Sequence, residues 1–466
     1  VSLLCLLAHP LSGTCVWADS GPAPSTYYRE PGSYGTKRET VPPQYVRNLS
    51  QTGIERFKDI HWLDVGLDFR TRYEYRDGDV RRPVQITDNN FLLRTRVYAG
   101  IKEIIDPLRM VIEVEDARAY NSKFPKDNRD WNEFEPIQMY GELFFRDLLG
   151  KDDRGNTRPL SLRGGRMWLE KLDRRLIGNN AWRNTTNTFQ GVHVDLGKDA
   201  NDWELELMAM QPLNRLLFEL DDINKGQWFY AAIGHWRRWS DIVTIEPYYL
   251  MIDQDAQEGR PERQINALAV RFYGPMGNTG FNYDNNFVFQ FGKDSGRTHD
   301  AFGSASEIGY TFQHAWKPRT SLFYGYASGD RDPTDLRNER FDRFYGFARP
   351  WSANDYMIWE NFHAPKIRFE AVPLRDLRFD AGYSWYWLAS DRDRWANANL
   401  RDPTGKSGDF IGHELDFRAR YPFGPHVDAT VGYAHFEPGN FPENRGKGTP
   451  TDFLYLEVSL NAFPRI

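Results

Sequence analysis

The sequence predicts an all-β chain, a transmembrane antiparallel β-barrel of about 18 strands with short periplasmic turns and long extracellular loops. Three observations carry this. First, residues 410–421, FIGHELDFRARY, alternate. Leu415, Phe417, Ala419 and Tyr421 fall on one side of an extended strand, and Glu414, Asp416, Arg418 and Arg420 fall on the other. Four charges on one face need water, so the segment suits a wall between lipid and an aqueous interior. Second, most of the chain repeats this pattern. Third, no run of about 20 apolar residues follows the N-terminal stretch, which excludes a helical membrane protein but not a barrel. Aromatic residues reach 15% of the 466 positions, in keeping with interfacial girdles. The net charge of −6, with no long basic run, argues against nucleic acid as a partner.

Taken in order, VSLLCLLAHPLSGTCVWA at 1–18 reads as a secretory signal peptide cut after Ala18. It holds both cysteines, Cys5 and Cys15, so the mature chain would carry no disulfide, thiolate metal site or c-type haem motif. Residues 19–60, rich in Pro, Gly, Ser and Thr, read as a flexible lead or a partial plug of the lumen. The barrel is expected over 61–466.

The first barrel strand is expected at 62–76. Leu63, Val65, Leu67, Phe69, Tyr73 and Tyr75 face one way, and Asp64, Asp68, Arg70, Arg72, Glu74 and Arg76 the other. Segment 90–102 sets Phe91, Leu93 and Val97 against Arg94 and Arg96, and segment 108–116 sets Met110 and Ile112 against Glu113 and Glu115. Segment 137–146 sets Ile137, Met139 and Leu143 against Gln138, Glu142 and Arg146. Further alternation runs through 203–207, 243–249, 268–272, 281–291, 307–312, 379–387 and 427–433. Less regular segments lie near 160–169, 189–196, 227–238, 320–328 and 365–374. The last strand is expected over Phe453–Phe463. Asp106-Pro107 and Arg375-Asp376 read as periplasmic turns, and 117–136, 170–188, 329–360 and 389–409 as extracellular loops. A lipid-exposed sheet cannot leave edges unpaired, so these strands must close.

No catalytic constellation appears: the ten histidines are scattered, and there is no GxSxG or phosphate-binding glycine loop, so no enzymatic activity and no cofactor are expected. Inward arginines are the informative feature, because a guanidinium is always charged and grips carboxylates in a fork. On parity alone the favoured reading is that inward Asp68, Glu142, Glu414 and Asp416 pair with them across strands and stiffen the wall. Asp330, Asp332 and Asp335 have spacings that could bind calcium, although the rest of a calcium loop is missing and a solvated acidic turn accounts for them.

Several segments, in order, resemble the alginate export family of outer-membrane barrels. They are Gly66-Leu-Asp-Phe-Arg70, Leu93-Arg94, Leu162-Arg-Gly-Gly-Arg166, Asn187-Thr-Phe-Gln-Gly191, Gly325-Tyr-Ala-Ser-Gly329, Gly412-His-Glu-Leu-Asp416 and His435-Phe-Glu-Pro-Gly439. The resemblance implies a Gram-negative outer-membrane channel that passes an acidic or mixed-charge exopolysaccharide through an arginine-lined constriction. Arg70, Arg94 and Arg166 match basic constriction positions. Other family arginines are replaced, by Gly141 beside Glu142, by Thr430 and Gly432, and by Trp359. Arg418 and Arg420 are expected to compensate. The alternatives are a porin for small solutes, including small anions, and a sheath around a partner protein. Lipid is the expected surroundings, and a periplasmic export partner is left open.

Overall fold

Alternating strands hide their charges only by closing on themselves, and this chain does so. The structure is a computed structural model that describes residues 38–257 and 259–463. The expected signal peptide with its cysteines, and the first part of the 19–60 lead, lie outside them. Eighteen antiparallel strands form the barrel. The first nine are β1 (Leu63–Asp77), β2 (Asp88–Ile105), β3 (Leu108–Tyr120), β4 (Asn132–Phe145), β5 (Leu160–Trp168), β6 (Thr188–Gly197), β7 (Trp203–Asn214), β8 (Gln227–Trp236) and β9 (Thr244–Gln254). The rest are β10 (Arg263–Pro275), β11 (Phe281–Asp294), β12 (Arg297–Thr311), β13 (Arg319–Ala327), β14 (Phe362–Leu374), β15 (Leu377–Trp387), β16 (Phe410–Pro422), β17 (Val427–Pro438) and β18 (Thr451–Asn461). Each pairs with its chain neighbour, and β1 closes the ring by pairing with both β2 and β18: Arg70 stands opposite Arg94 on one side and Ser459 on the other.

The expected faces hold. Leu67, Val97, Met110, Leu268, Phe289 and Leu456 are exposed on the outside, where lipid would cover them, while Asp68, Arg70, Arg72, Arg94, Arg96, Glu113 and Glu115 are buried within. Ile137 departs from the pattern. The β3–β4 ladder steps from Glu113–Gln138 to Val114–Pro136, and the skipped Ile137 is buried at the irregularity. Arg146 lies just past β4 with a side chain 71% exposed, outside the row of inward arginines.

At the end bearing the tight 106–107 and 375–376 connections, described residues 38–51 cross the mouth. Val46–Asn48 pairs with Asp64–Gly66 of β1. Tyr45 then reaches inward and donates to Glu113. Gly66 permits this, because a Cβ there would lie 2.8 Å from the Tyr45 ring. Arg38 ends on Asp199 at 2.9 Å.

The opposite end carries the long loops, and two of them fold into the barrel. Leu169, Leu172, Leu176 and Ile177 of loop 169–187, and Phe341, Trp351, Tyr356 and Trp359 of loop 328–361, join one buried cluster with Phe229, Ile233, Leu250, Ile252, Ile265 and Val288 of the wall. The loops also interlock: Tyr345 N–H donates to Leu176 O at 2.9 Å, and a Cβ on Gly346 would lie 1.7 Å from Arg175 O.

Candidate functional site

The inward charges on β1 and β2 form a row. Arg70 and Arg94 are direct cross-strand neighbours, an arrangement that repels unless something answers it. Loop 169–187 answers it with carbonyl oxygens. Arg70 donates to Ala181 O and Arg183 O, both at 2.7 Å, and Arg94 donates to the same Ala181 oxygen at 3.2 Å. Arg72 donates to Trp182 O at 2.6 Å and lies 3.2 Å from Glu457. Asp68 lies 3.7 Å from Arg94. The loop therefore rests on two of the three expected constriction arginines. The third, Arg166, is engaged elsewhere: it binds Glu135 and donates to Asp221 O at 3.0 Å, which fastens loop 215–226.

A second basic group stands on β14–β16. Asp380 receives Arg368 at 2.7 Å, Arg418 at 3.0 Å and Arg420 at 3.2 Å, three guanidiniums on one carboxylate. These side chains border a cavity of about 350 Å³ whose wall also carries Arg38, Arg174, Arg349, Lys366 and Arg378, against the acids Glu39, Glu170, Asp380 and Asp416. Cations outnumber carboxylates in this wall. Arg418 and Arg420 face Gly432 and Thr430 across the ladder, the positions where the resemblance lacks its arginine pair. Gly432 has a packing role: a Cβ there would lie 2.2 Å from the Tyr455 ring. Gly382 likewise leaves room for Asp416, whose Oδ2 would be 2.6 Å from an added Cβ.

Trp182 at the tip of the infolded loop separates this cavity from an outer one of about 120 Å³, and it lines both. Arg72 lies 4.0 Å and Arg349 3.6 Å from the Trp182 ring centroid, and Tyr455 meets it edge-on at 4.8 Å. The outer cavity carries Arg72, Arg76, Arg81, Arg82, Arg129 and Arg183, against Glu74, Asp79, Asp88, Asp130 and Asp355. Asp355 ties the loops together, 2.8 Å from Arg183 and 3.7 Å from Arg81. Burial would raise its carboxyl, but Arg183 and Arg81 hold it below its ordinary value.

The remaining expected residues serve the wall and the loops. Glu142 accepts from Ser161 at 2.5 Å and from Arg163 at 3.1 Å. Gly141 points outward between inward Tyr140 and Glu142, so an arginine at this position would meet lipid and not the lumen. Glu414 accepts from Ser352 Oγ and Ala353 N at 2.7 Å and from Asn354 N at 3.0 Å, anchoring loop 328–361. Trp359 lies in the core of that loop and donates to Tyr326 O at 2.8 Å. Of the calcium candidates, Asp330 pairs with Arg297 at 2.9 Å, Asp332 binds Thr334 and Asp335 caps Arg337 N. Metal-capable side chains do gather among the described residues, but elsewhere: His193, Asp195 and Glu206, and also Asp199, Glu204 and His235.

Sequence reasoning missed the loop-docking surface. Inward Phe229, Ala231, Ile233, Tyr248, Leu250 and Ile252 are apolar and fully covered. The available signal was the loss of alternation in Phe229-Tyr-Ala-Ala-Ile233 and Tyr248-Tyr-Leu-Met-Ile252.

Solved barrels share this architecture at low sequence identity. OccK8 (OprE) of Pseudomonas aeruginosa superposes with a TM-score of 0.57 at 12% identity, covering 86% of this chain and 98% of that one. OprD of the same organism gives 0.55 at 11%, covering 85% and 93%. OccK2 (OpdF) of the same organism, solved in complex with glucuronate, gives 0.55 at 12%, covering 87% and 98%. At such identities the likeness speaks for the fold alone. No curated protein matches the sequence. The family described as alginate export matches residues 61–455. A closed barrel of alternating strands, together with a family match over most of its length, places this chain in the alginate export family, as a channel of the Gram-negative outer membrane.

Proposed function

We propose that the protein is a passive conduit for an acidic or mixed-charge polysaccharide, and that the basic cavity bordered by Arg368, Arg418 and Arg420 is where the chain's carboxylates are steered. The observation that carries this reading is the surplus of cations in the wall leading to Trp182, with three guanidiniums sharing Asp380. A carboxylate passing there would compete with Asp380 for the three guanidiniums, one of which, Arg368, also lies 3.4 Å from Glu370. Asp380 and Asp416 weaken the grip, and a conduit needs binding weak enough to release. Arg70 and Arg94 hold loop 169–187 in the closed arrangement, so passage of a polymer requires this loop to leave the neck.

A second reading, a porin for small anionic solutes, is favoured by the size of the spaces. Cavities of about 350 and 120 Å³ on either side of Trp182 suit a single sugar acid better than a polymer. The infolded loops count against a sheath around a partner protein.

The test is the reversal potential of the purified protein in a planar bilayer under a salt gradient, repeated with polyuronate and with glucuronate. We expect an anion preference and block by polyuronate, both reduced in Arg418→Glu. A cation-preferring current indifferent to polyuronate would sink the conduit. Block by glucuronate but not by the polymer would favour the porin.

A further inference from the structure

One cluster of ionisable side chains in the lumen wall borders neither of the cavities beside Trp182. It lies where β7 faces β8, close to the turn after β6. His235 stands directly opposite Glu204 in the ladder, and its side chain is fully buried. Its Nδ1 lies 3.1 Å from Glu246 Oε1, with an Arg237 nitrogen also at 3.1 Å. Its Nε2 is aimed between two carboxylate oxygens, Glu204 Oε2 at 3.9 Å and Glu206 Oε1 at 3.8 Å. These separations are too long for hydrogen bonds. Among the described residues, neither His235 Nε2 nor Glu204 Oε2 has a hydrogen-bond partner. Ligand atoms of Asp199, Glu204 and His235 all lie within 4.8 Å of one another.

The neighbouring cluster shows the contrast. His193 Nε2 lies 2.9 Å from Asp195 and 3.1 Å from Glu206 Oε2, and Lys171 binds that same Glu206 oxygen. Direct bonds close this group. The other carboxylates around His235 have cations of their own: Arg38 on Asp199, Lys171 on the far oxygen of Glu206 and Arg271 on Glu246. Glu204 has no lysine or arginine within 4.0 Å among the described residues.

We propose that His235 Nε2, Glu204 and Asp199, with Glu206 Oε1 as a fourth ligand, bind a divalent transition-metal ion of the zinc class. Nδ1–H donates to Glu246 Oε1, which leaves the Nε2 lone pair for the ion and orients the ring, the arrangement by which carboxylates commonly support metal-bound histidines, while Arg237, which can only donate, turns to Asp199 at 3.6 Å. Two ligands each about 2.0–2.2 Å from a tetrahedral ion stand about 3.3–3.6 Å apart, so the gaps of 3.9 and 3.8 Å need only small closing movements. Imidazole with carboxylates selects borderline ions over calcium or magnesium. An ion that recruits Asp199 would compete with Arg38 for it.

The test uses the full-length barrel in detergent, stripped with chelator and equilibrated with Zn²⁺ or Co²⁺. Bound metal is measured by elemental analysis, and the Co²⁺ form by its visible spectrum. Folding is checked in each variant by heat-modifiable mobility. We expect one ion per barrel, a loss of tenfold or more in affinity for His235→Gln and for Glu204→Gln, and retention in His193→Gln. A folded wild-type barrel that holds no stoichiometric ion overturns the proposal, and so does equal binding by His235→Gln and His193→Gln.

Discussion

Two arginines that look alike in the sequence do different work. Arg70 spends its donors on Ala181 O and Arg183 O, so its charge is turned to a loop backbone. Arg418 shares Asp380 with Arg368 and Arg420 and borders open space. Hydrogen bonds from a charged donor contribute about 1.5–3 kcal/mol each, and a carbonyl left buried without its donor adds a desolvation cost. Arg70→Gln is therefore expected to release loop 169–187 and raise single-channel conductance severalfold, with ion preference little changed. A shift in reversal potential at unchanged conductance would show that Arg70 acts on the ions directly. The sequence named Arg70, Arg94, Arg418 and Arg420, and parity put all four inside. It could not distinguish a loop anchor from a cavity wall, because that depends on loop residues more than 80 positions away.

At the scale of elements, the strands were legible and the loops were not. Alternation located β1, β2, β3, β16 and β17 because burial on one side and lipid on the other act on every second residue. Loops 169–187 and 328–361 were recognised only as long polar connections. Their structure comes from buried contacts with the apolar inner face of β8–β11 and from ion pairs such as Asp355–Arg183. This pair sets a pH dependence. The Asp355 carboxyl is held below its ordinary value of about 3.9, so its stabilisation is present above that value and is lost as the pH falls through the lowered one. We expect loop protection from protease to be constant from about pH 8 to about pH 5 and to fall only below about pH 4. Loosening near pH 6 would point instead to a histidine.

At the scale of the molecule, the N-terminal segment narrows the end bearing the short turns. Arg38 lies on Asp199, the Glu39 backbone N–H donates to Glu170 at 2.8 Å, and Tyr45 binds Glu113. These contacts place residues 38–51 between the basic cavity and a second space of about 430 Å³ lined by Val46, Tyr98, Arg109 and Glu142. Arg38→Glu sets like charges against each other at Asp199. We expect it to release the segment and raise conductance about twofold or more, and an unchanged conductance would show that the segment does not limit flow. The sequence offered two readings of this lead, flexible or plugging, because Pro, Gly and Ser specify no period.

The sequence by itself determined the barrel, its strand number, its inward and outward faces and the family. The strands and their faces follow from a local rule, alternation at period two, repeated along the chain and closed by the need to pair every edge, and the family resemblance rests on short motifs that keep their order. Only the tertiary structure decided which charges line open space. That depends on how two loops and the N-terminal segment fold back into the lumen, and such contacts join residues far apart in the chain whose pairing no local pattern records.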